Sequence, residues 1–175
     1  MYIPTVLILG LAGGGKSLLV RRLFSLATSA SESLSLDYDV VPTAGVELQT
    51  LSIKRKPTIT FREVGGQMLP VWGGYLNDCR ELIYVIDMAN PAQLASAVME
   101  LYVLLADTRL KQSRVLVVLN KIDLPFVLTR AEVDMSLHSQ HLPMSVRERM
   151  TIIEASALEG TGVQQVLDWI HTIKQ

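Results

Sequence analysis

One glycine-rich segment constrains the fold of this chain more than any other feature: Gly10-Leu11-Ala12-Gly13-Gly14-Gly15-Lys16-Ser17. An apolar run over residues 3–9 precedes it, and an amphipathic stretch over residues 17–26 follows it. The segment matches the pattern G-x-x-x-x-G-K-[ST], and it lies between a predicted strand and a predicted helix. Glycines let successive backbone N–H groups turn inward, and the helix points its positive N-terminal end at the same place. This pattern predicts a loop that binds phosphates.

Each residue type in this phosphate loop, residues 10–17, suits a nucleotide. The Lys16 ammonium is expected to reach the β- and γ-phosphates, and the Ser17 hydroxyl is a suitable oxygen ligand for Mg²⁺. The predicted phosphate-binding residues are Ala12, Gly13, Gly14, Gly15, Lys16, Ser17 and Leu18. The alternative is a glycine-rich turn before a lysine, which the flanking strand and helix disfavour. The loop alone does not distinguish GTP from ATP.

The rest of the chain alternates short apolar runs with amphipathic stretches. Runs rich in Val, Ile and Leu, typical of strands buried on both faces, cover residues 3–9, 82–87, 115–119 and 152–155. Helical spacing covers residues 17–26, 91–105 and 163–173, and a capping box at Thr129 opens another helix. Residues 44–53 and 58–64 are predicted to form a hairpin around residues 54–57, and the serine-rich residues 27–35 a surface loop.

This alternation predicts an α/β fold of the P-loop type. We expect a doubly wound, six-stranded, mostly parallel sheet with helices on both faces and one antiparallel edge hairpin. The 175 residues fit a single domain, 1–175. We also expect a monomer.

Composition excludes several classes of partner. The formal net charge of −1 favours neither nucleic acid nor an anionic membrane as a bulk partner. Cys79 is the only cysteine, so no internal disulfide forms and a reducing compartment is expected. No apolar run is long enough to span a membrane. Tyr2 and the final residues lack lipidation motifs, so we predict a cytoplasmic protein without a direct lipid anchor.

A second motif, Asn120-Lys121-Ile122-Asp123, follows the predicted strand at residues 115–119. The Asp123 carboxylate is expected to accept hydrogen bonds from guanine N1–H and the N2 amino group, a donor pair that adenine lacks. The Lys121 stem would lie across the base, and the Asn120 amide would tie this loop to the phosphate loop. The alternative is an exposed turn, which the distance downstream of a phosphate loop disfavours.

Five further residues complete the predicted site. Ser156 and Ala157 follow the last predicted strand, where the Ala157 N–H would bond guanine O6; the alternative is ordinary helix-cap sequence. Thr43 would give a second hydroxyl to Mg²⁺ and its N–H to the γ-phosphate. The Gly66 N–H would also contact the γ-phosphate, and Gln67 would orient the attacking water. Plain turn chemistry is the alternative for Thr43 and Gln67.

Together these residues resemble the ADP-ribosylation-factor (Arf) branch of the small GTPases. The resemblance covers nearly the whole chain. It implies a GTP/GDP switch with magnesium, in which GTP orders two loops that recruit protein effectors. It also implies a role in membrane traffic or ciliary biology, peripheral to membranes through partners. The branch-level marks are Gly10-Leu11, Val41-Pro42-Thr43, the double glycine before Gln67, Pro70-Val71-Trp72 with Tyr75, and Asn120-Lys121-Ile122-Asp123-Leu124-Pro125.

The chain departs from this family pattern in three places. Glu63 stands where the family has an aspartate that holds a magnesium-bound water, and its extra methylene moves the carboxylate by about a bond length. Arg62 and Val46 replace two aromatic residues of the family's effector triad, which leaves Tyr75. Only two residues separate Gln67 from the next proline, so the second switch is shortened.

Three functions are therefore open. The first is a GTP/GDP switch with slow intrinsic hydrolysis, assisted by an arginine from a partner protein. The second is a GTP-binding scaffold with negligible hydrolysis, which Glu63 and the shortened switch favour. The third is an ATP-using P-loop kinase or ATPase, against which Asp123 and the absence of a lid-like arginine-rich insertion argue.

Overall fold

The predicted strands assemble into one six-stranded sheet in the order β2-β3-β1-β4-β5-β6. A computed structural model describes residues 4–28, 43–52 and 58–173. The strands are β1 (Thr5–Leu9), β2 (Val46–Leu51), β3 (Ile59–Val64), β4 (Glu81–Asp87), β5 (Arg114–Asn120) and β6 (Met150–Ala155). The pairing of β2 with β3 is antiparallel and every other pairing is parallel, which confirms the predicted α/β sheet with its antiparallel edge pair.

Helices cover both faces of the sheet, as the alternating pattern predicts. The helices are α1 (Lys16–Ala27), α2 (Pro91–Ala106), α3 (Arg130–Leu137), α4 (Met144–Arg147) and α5 (Val163–His171). Shorter 3-10 turns occur at Thr108–Leu110 and Ser139–His141, and a longer one at Gly66–Tyr75. The capping box at Thr129 is confirmed, because Thr129 and Glu132 each accept a backbone N–H of the other. None of the described helices has the length and apolar character that a membrane crossing needs.

Two separate hydrophobic clusters hold the layers together. One packs α1 and α5 on one face of the sheet, with Leu19 and Leu23 fully buried one helical turn apart. The other packs α2 and α3 on the opposite face and includes Trp72 and Tyr84. Such buried leucines each contribute about 2–5 kcal/mol against truncation to alanine. The two clusters fix the sheet between its helices and so fix the loops at its ends.

One strand prediction is wrong in part. The run at residues 152–155 was expected to be buried on both faces, yet Ile152 is half-buried and Glu154 is exposed. The physical reason is position, because β6 is an edge strand that pairs only with β5 among the described strands. The turn at residues 54–57 and most of the serine-rich segment lie outside the described residues.

Topology brings the predicted motifs to one edge of the sheet. The phosphate loop follows β1, the loop with Asn120 follows β5, and Ser156 follows β6. Parallel strands place their carboxyl ends at the same edge, where ligands of open α/β sheets bind. The candidate site is therefore built from loops on a rigid sheet.

Candidate functional site

The phosphate loop curls tightly because its glycines adopt left-handed backbone angles. Gly13 has φ +80° and Gly15, the residue before α1, has φ +87°. A Cβ on Gly15 would also collide with the side-chain amide of Asn120. Only glycine combines this backbone with so close a neighbour. The first turn of α1 thus opens directly onto the loop, with its unpaired N–H groups facing a concave surface.

Lys16 is folded back into this loop. Its ammonium donates to the carbonyls of Gly10 at 2.9 Å and Leu11 at 3.0 Å. Only 6% of the residue is exposed, and burial lowers the pKa of Lys16, an effect that the negative charge of Glu63 partly offsets. The two loop carbonyls therefore fix the position of the Lys16 ammonium.

Three oxygen atoms converge beside Lys16. The Ser17 hydroxyl donates to Glu63 Oε1 at 2.6 Å, and the Thr43 hydroxyl donates to the same atom at 3.1 Å. The two hydroxyl oxygens themselves lie 3.1 Å apart. Glu63 is 3% exposed, and its Oε2 is buried without a hydrogen-bond partner among the described residues. Two hydroxyls and one carboxylate, whose second oxygen has no hydrogen-bond partner among the described residues, are a donor set that fits a hard divalent cation such as Mg²⁺.

The segment after β3 lies directly against the phosphate loop. The Gly65 N–H donates to the Gly45 carbonyl at 2.9 Å, and a Cβ on Gly66 would collide with the backbone of Ala12. Gln67, next along the chain, is exposed at the start of the 3-10 segment Gly66–Tyr75. The close approach explains why two glycines occur together here.

A buried tryptophan anchors the shortened 3-10 segment. The Trp72 indole donates to the Gly65 carbonyl at 3.2 Å, and its ring meets Tyr84 edge-on at 6.3 Å between centroids. The segment is broken at Met68, where the backbone leaves helical angles, and it contains Pro70. Trp72 thus holds the 3-10 segment against Gly65 through a hydrogen bond.

Asn120 joins three loops through one buried side chain. Its amide donates to the Gly14 carbonyl at 2.8 Å, and its Oδ1 accepts the Ala157 N–H at 3.0 Å. Asn120 is 1% exposed. Asp123 follows three residues later, and its Oδ1 is buried with no hydrogen-bond partner among the described residues. An unsatisfied carboxylate oxygen of this kind costs about 1–3 kcal/mol or more unless a ligand supplies donors.

The Ala157 N–H has a hydrogen-bond partner within the chain. We expected its N–H to face guanine O6, but this N–H already donates to Asn120. The reason is that the loop after β6 closes on itself, since the buried Ser156 accepts the Glu159 N–H at 2.9 Å and aligns Ala157 toward β5. The contact of the Ala157 N–H with guanine O6 stays a prediction, in which a bound base would share or replace this hydrogen bond.

Most of the predicted phosphate-binding and magnesium-binding residues line one cavity of about 280 Å³. Gly14, Asn120, Asp123, Ser156 and Ala157 are predicted site residues that do not line it. A larger cavity of about 750 Å³ opens at the amino ends of the strands, away from every predicted site residue. The smaller cavity is lined by Ala12, Gly13, Gly15, Lys16, Ser17, Leu18, Thr43, Glu63, Gly66, Gln67 and Lys121.

Sequence reasoning missed two side chains at this site. Asp87 ends β4 and forms an ion pair with Lys121 at 2.6 Å, which fixes the lysine stem beside the cavity. Gln93 donates to the Ala12 carbonyl at 3.3 Å and braces the phosphate loop from α2. An acidic residue at the carboxyl end of a parallel strand is a signal that identifies Asp87. No sequence signal identifies Gln93.

Comparisons with known proteins agree with this geometry. A model of the ADP-ribosylation factor (Arf) family matches residues 4–173. Human ADP-ribosylation factor-like protein 16 is 36% identical over 166 residues, which cover 94% of this chain and 83% of that protein. ADP-ribosylation factor-like protein 1 of Saccharomyces cerevisiae is 32% identical over 174 residues, which cover 97% of this chain and 87% of that protein.

A solved structure shows the same fold. The Arl6 BBS3 small GTPase from Trypanosoma brucei, with the nucleotide analogue GppNp bound, superposes with a TM-score of 0.78. The match covers 97% of this chain and 95% of that one at 19% identity, so it concerns the fold. The resemblance inferred from the motifs is confirmed by the family match and by the two relatives. This chain belongs to the ADP-ribosylation factor family of small GTPases.

Proposed function

We propose that this chain is a GTP-binding switch that hydrolyses GTP slowly and recruits protein effectors in its GTP state. Members of its family bind guanine nucleotides. The observation that carries the proposal is that Oδ1 of Asp123 is buried and has no hydrogen-bond partner among the described residues. Asp123 lies three residues after Asn120, whose side chain is hydrogen-bonded to the phosphate loop. Guanine offers this carboxylate the two donors that it lacks, whereas adenine does not.

Phosphate binding rests on the phosphate loop and Lys16. A bound anion would draw the Lys16 ammonium from the carbonyls of Gly10 and Leu11, since a charge-assisted bond to phosphate is stronger than one to a neutral carbonyl. Ser17 and Thr43 would hold Mg²⁺ beside Glu63. When bound, that ion neutralises charge on the β- and γ-phosphates.

Switching would follow from the contact between the segment that contains Thr43 and the segment that contains Gly65 and Gly66, which are both proposed to reach the γ-phosphate. Thr43 lies close behind Gly65, because a Cβ on Gly65 would collide with the Thr43 carbonyl. Gly66 in turn lies against Ala12 of the phosphate loop. A γ-phosphate bonded by both Thr43 and Gly66 would hold the two segments together, and its loss on hydrolysis would release them.

Slow hydrolysis is proposed because the catalytic set is incomplete within the described chain. Gln67 lines the cavity and is exposed, so it would orient a water molecule that attacks the γ-phosphate. No arginine from the described residues lines this cavity. A partner arginine accelerates this reaction by about 10³–10⁵ in other GTPases. We therefore expect the chain alone to turn over slowly.

A GTP-binding scaffold with negligible hydrolysis is the second candidate. The observation that favours it is the anchoring of the 3-10 segment by Trp72, which restrains the residues that follow Gln67. A restrained segment gives Gln67 less freedom to align water.

Single-turnover hydrolysis separates the two candidates. A measurable rate that Gln67→Leu abolishes supports the slow switch, whereas no rate above the spontaneous background supports the scaffold.

Trp72 gives a second, independent test of switching, because its indole is hydrogen-bonded to Gly65. In a Trp169→Phe background Trp72 is the sole tryptophan, and its fluorescence is expected to differ between GDP and GppNHp. Identical spectra in both states would contradict switching.

Effector recruitment is proposed for the surface formed by β2, β3 and the 3-10 segment. Val46 and Leu48 are exposed on β2 by 39% and 60%, and Arg62 on β3 lies 6.0 Å from the Tyr75 ring. A role in membrane traffic or ciliary regulation, and a peripheral location through partners, are proposed by family analogy. A pull-down that compares wild type with Ser17→Asn tests this, and identical partners in both forms would argue against a nucleotide-dependent effector.

A further inference from the structure

We propose that the Glu63 carboxylate is itself a ligand of the bound divalent cation, so that this chain supplies three oxygen ligands from Ser17, Thr43 and Glu63. The inference rests on the proposed function, because it concerns the ion that accompanies the nucleotide. It assigns Glu63 a direct bond to the metal, whereas the shorter family aspartate holds a metal-bound water.

The spacing of the three oxygens carries the inference. Ser17 Oγ, Thr43 Oγ1 and Glu63 Oε1 form a triangle with sides of 2.6, 3.1 and 3.1 Å. Octahedral Mg²⁺ binds oxygen at about 2.0–2.1 Å, which places adjacent ligands about 3.0 Å apart. The triangle therefore has nearly the dimensions of one face of a magnesium octahedron.

Burial makes the carboxylate dependent on a cation. Glu63 is 3% exposed, and its Oε2 has no hydrogen-bond partner among the described residues. The Lys16 ammonium interacts electrostatically with Glu63 but donates to two loop carbonyls. A buried carboxylate is stable only when it is paired or coordinates a metal. A divalent ion at the triangle would compensate this charge.

The backbone of Glu63 is paired with a strand on each side, so the point from which its side chain extends is fixed. Glu63 pairs with Ile8 of β1 on one side and with Glu47 of β2 on the other. Its side chain therefore extends from near the carboxyl end of β3, toward the first turn of α1 where Ser17 lies. Glutamate has one methylene more than aspartate, and this extra length brings the carboxylate to the hydroxyls of Ser17 and Thr43.

Hydrogen bonding alone is the competing explanation, because 2.6 and 3.1 Å are also ordinary hydrogen-bond lengths. In that case the carboxylate would bond only to the two hydroxyls and would reach the ion through a bound water molecule. The two explanations differ in how many water molecules remain on the ion. Six-coordinate metal with two phosphate oxygens and two hydroxyls keeps two waters, whereas a carboxylate ligand leaves one.

The test counts these waters directly. Mn²⁺ replaces Mg²⁺ in the complex with GppNHp, and the broadening of its electron paramagnetic resonance lines in ¹⁷O-water gives the number of bound waters. We expect one water in wild type, and two in Glu63→Asp and in Glu63→Gln. The Mn²⁺ affinity of the GppNHp complex should fall by about 10-fold or more in Glu63→Gln. Glu47→Gln, which changes the exposed glutamate paired with Glu63, is the matched control and should keep one water.

The outcomes separate this inference from the proposed function. Two waters in wild type would overturn direct ligation even if neither Glu63 variant folds, and so would an equal count in wild type and Glu63→Asp. Tighter Mn²⁺ binding by Glu63→Gln than by wild type would also overturn it. Failure of GppNHp and GDP to bind wild type at any metal concentration would instead refute the proposed function, and the inference with it.

Discussion

Replacing Asn120 with alanine tests whether this side chain holds the phosphate loop and the loop after β6 together. The wild-type side chain donates to the Gly14 carbonyl at 2.8 Å and accepts the Ala157 N–H at 3.0 Å. Both bonds are buried, and Asn120 is 1% exposed. Alanine removes both partners at once and leaves two buried backbone groups unsatisfied.

The size of the effect follows from these two groups. A buried donor or acceptor left without a partner costs about 1–3 kcal/mol. We therefore expect Asn120→Ala to lower the free energy of unfolding by about 2–6 kcal/mol, a large part of the stability of a domain of this size. Asn77→Ala is the matched control, because Asn77 is exposed and its side chain accepts a long hydrogen bond of 3.3 Å from the exposed Arg109. That change should stay within about 0.5 kcal/mol.

The assay is equilibrium unfolding in urea, without nucleotide and with a chelator. These conditions matter because a bound ligand adds its own stabilisation and would mask the loss. Equal slopes of the unfolding free energy against urea would show that the variants unfold as the wild type does. A difference below about 1 kcal/mol between Asn120→Ala and Asn77→Ala would refute the loop-tethering role that we assign to Asn120.

Three other perturbations test separate parts of the account. Gly66→Ala places a Cβ against the Ala12 backbone, so GppNHp affinity should fall about 5- to 100-fold in fluorescent-nucleotide titrations while GDP affinity changes less; equal losses would contradict the γ-phosphate contact. Arg109 hydrogen bonds lower the pKa of Asp107 from 3.8 to about 2, so this carboxylate stabilises the fold above pH 3.8 and the effect disappears as the pH falls through 2. The difference in urea midpoint between wild type and Asp107→Asn should shrink over that window, and a constant difference would rule out the linkage. Burial raises the pKa of Cys79 to about 12, so its thiol should react with a disulfide reagent at pH 8 only after unfolding; rapid reaction of the native protein would show that it is accessible.

Much of the fold is predictable from the sequence because its signals are local. The apolar runs that became β1, β4 and β5 are buried along nearly their whole length, and the capping box at Thr129 forms as its residues specify. The exposure of β6 was not predictable, since edge position depends on the order of strands rather than on the composition of one strand.

The candidate site was predictable as a set of loops but not in its contacts. Motif spacing placed Lys16 and Lys121 on loops at the same sheet edge, and both line one cavity. The bond from Ser17 to Glu63 joins residues 46 positions apart and depends on one methylene of side-chain length, which no pattern encodes. The partner of the Ala157 N–H was likewise set by how the loop after β6 closes.

Nucleotide competition tests the central claim most directly. Purified chain is loaded with fluorescent GDP and Mg²⁺, and unlabelled GTP, GDP or ATP is added at increasing concentration. We expect GTP and GDP to displace the label at concentrations at least about 100-fold below ATP, because Asp123 supplies charged hydrogen bonds worth about 1.5–3 kcal/mol each that only guanine can use. Asp123→Ala should remove most of this preference. Displacement by ATP as readily as by GTP in the wild type would contradict the account.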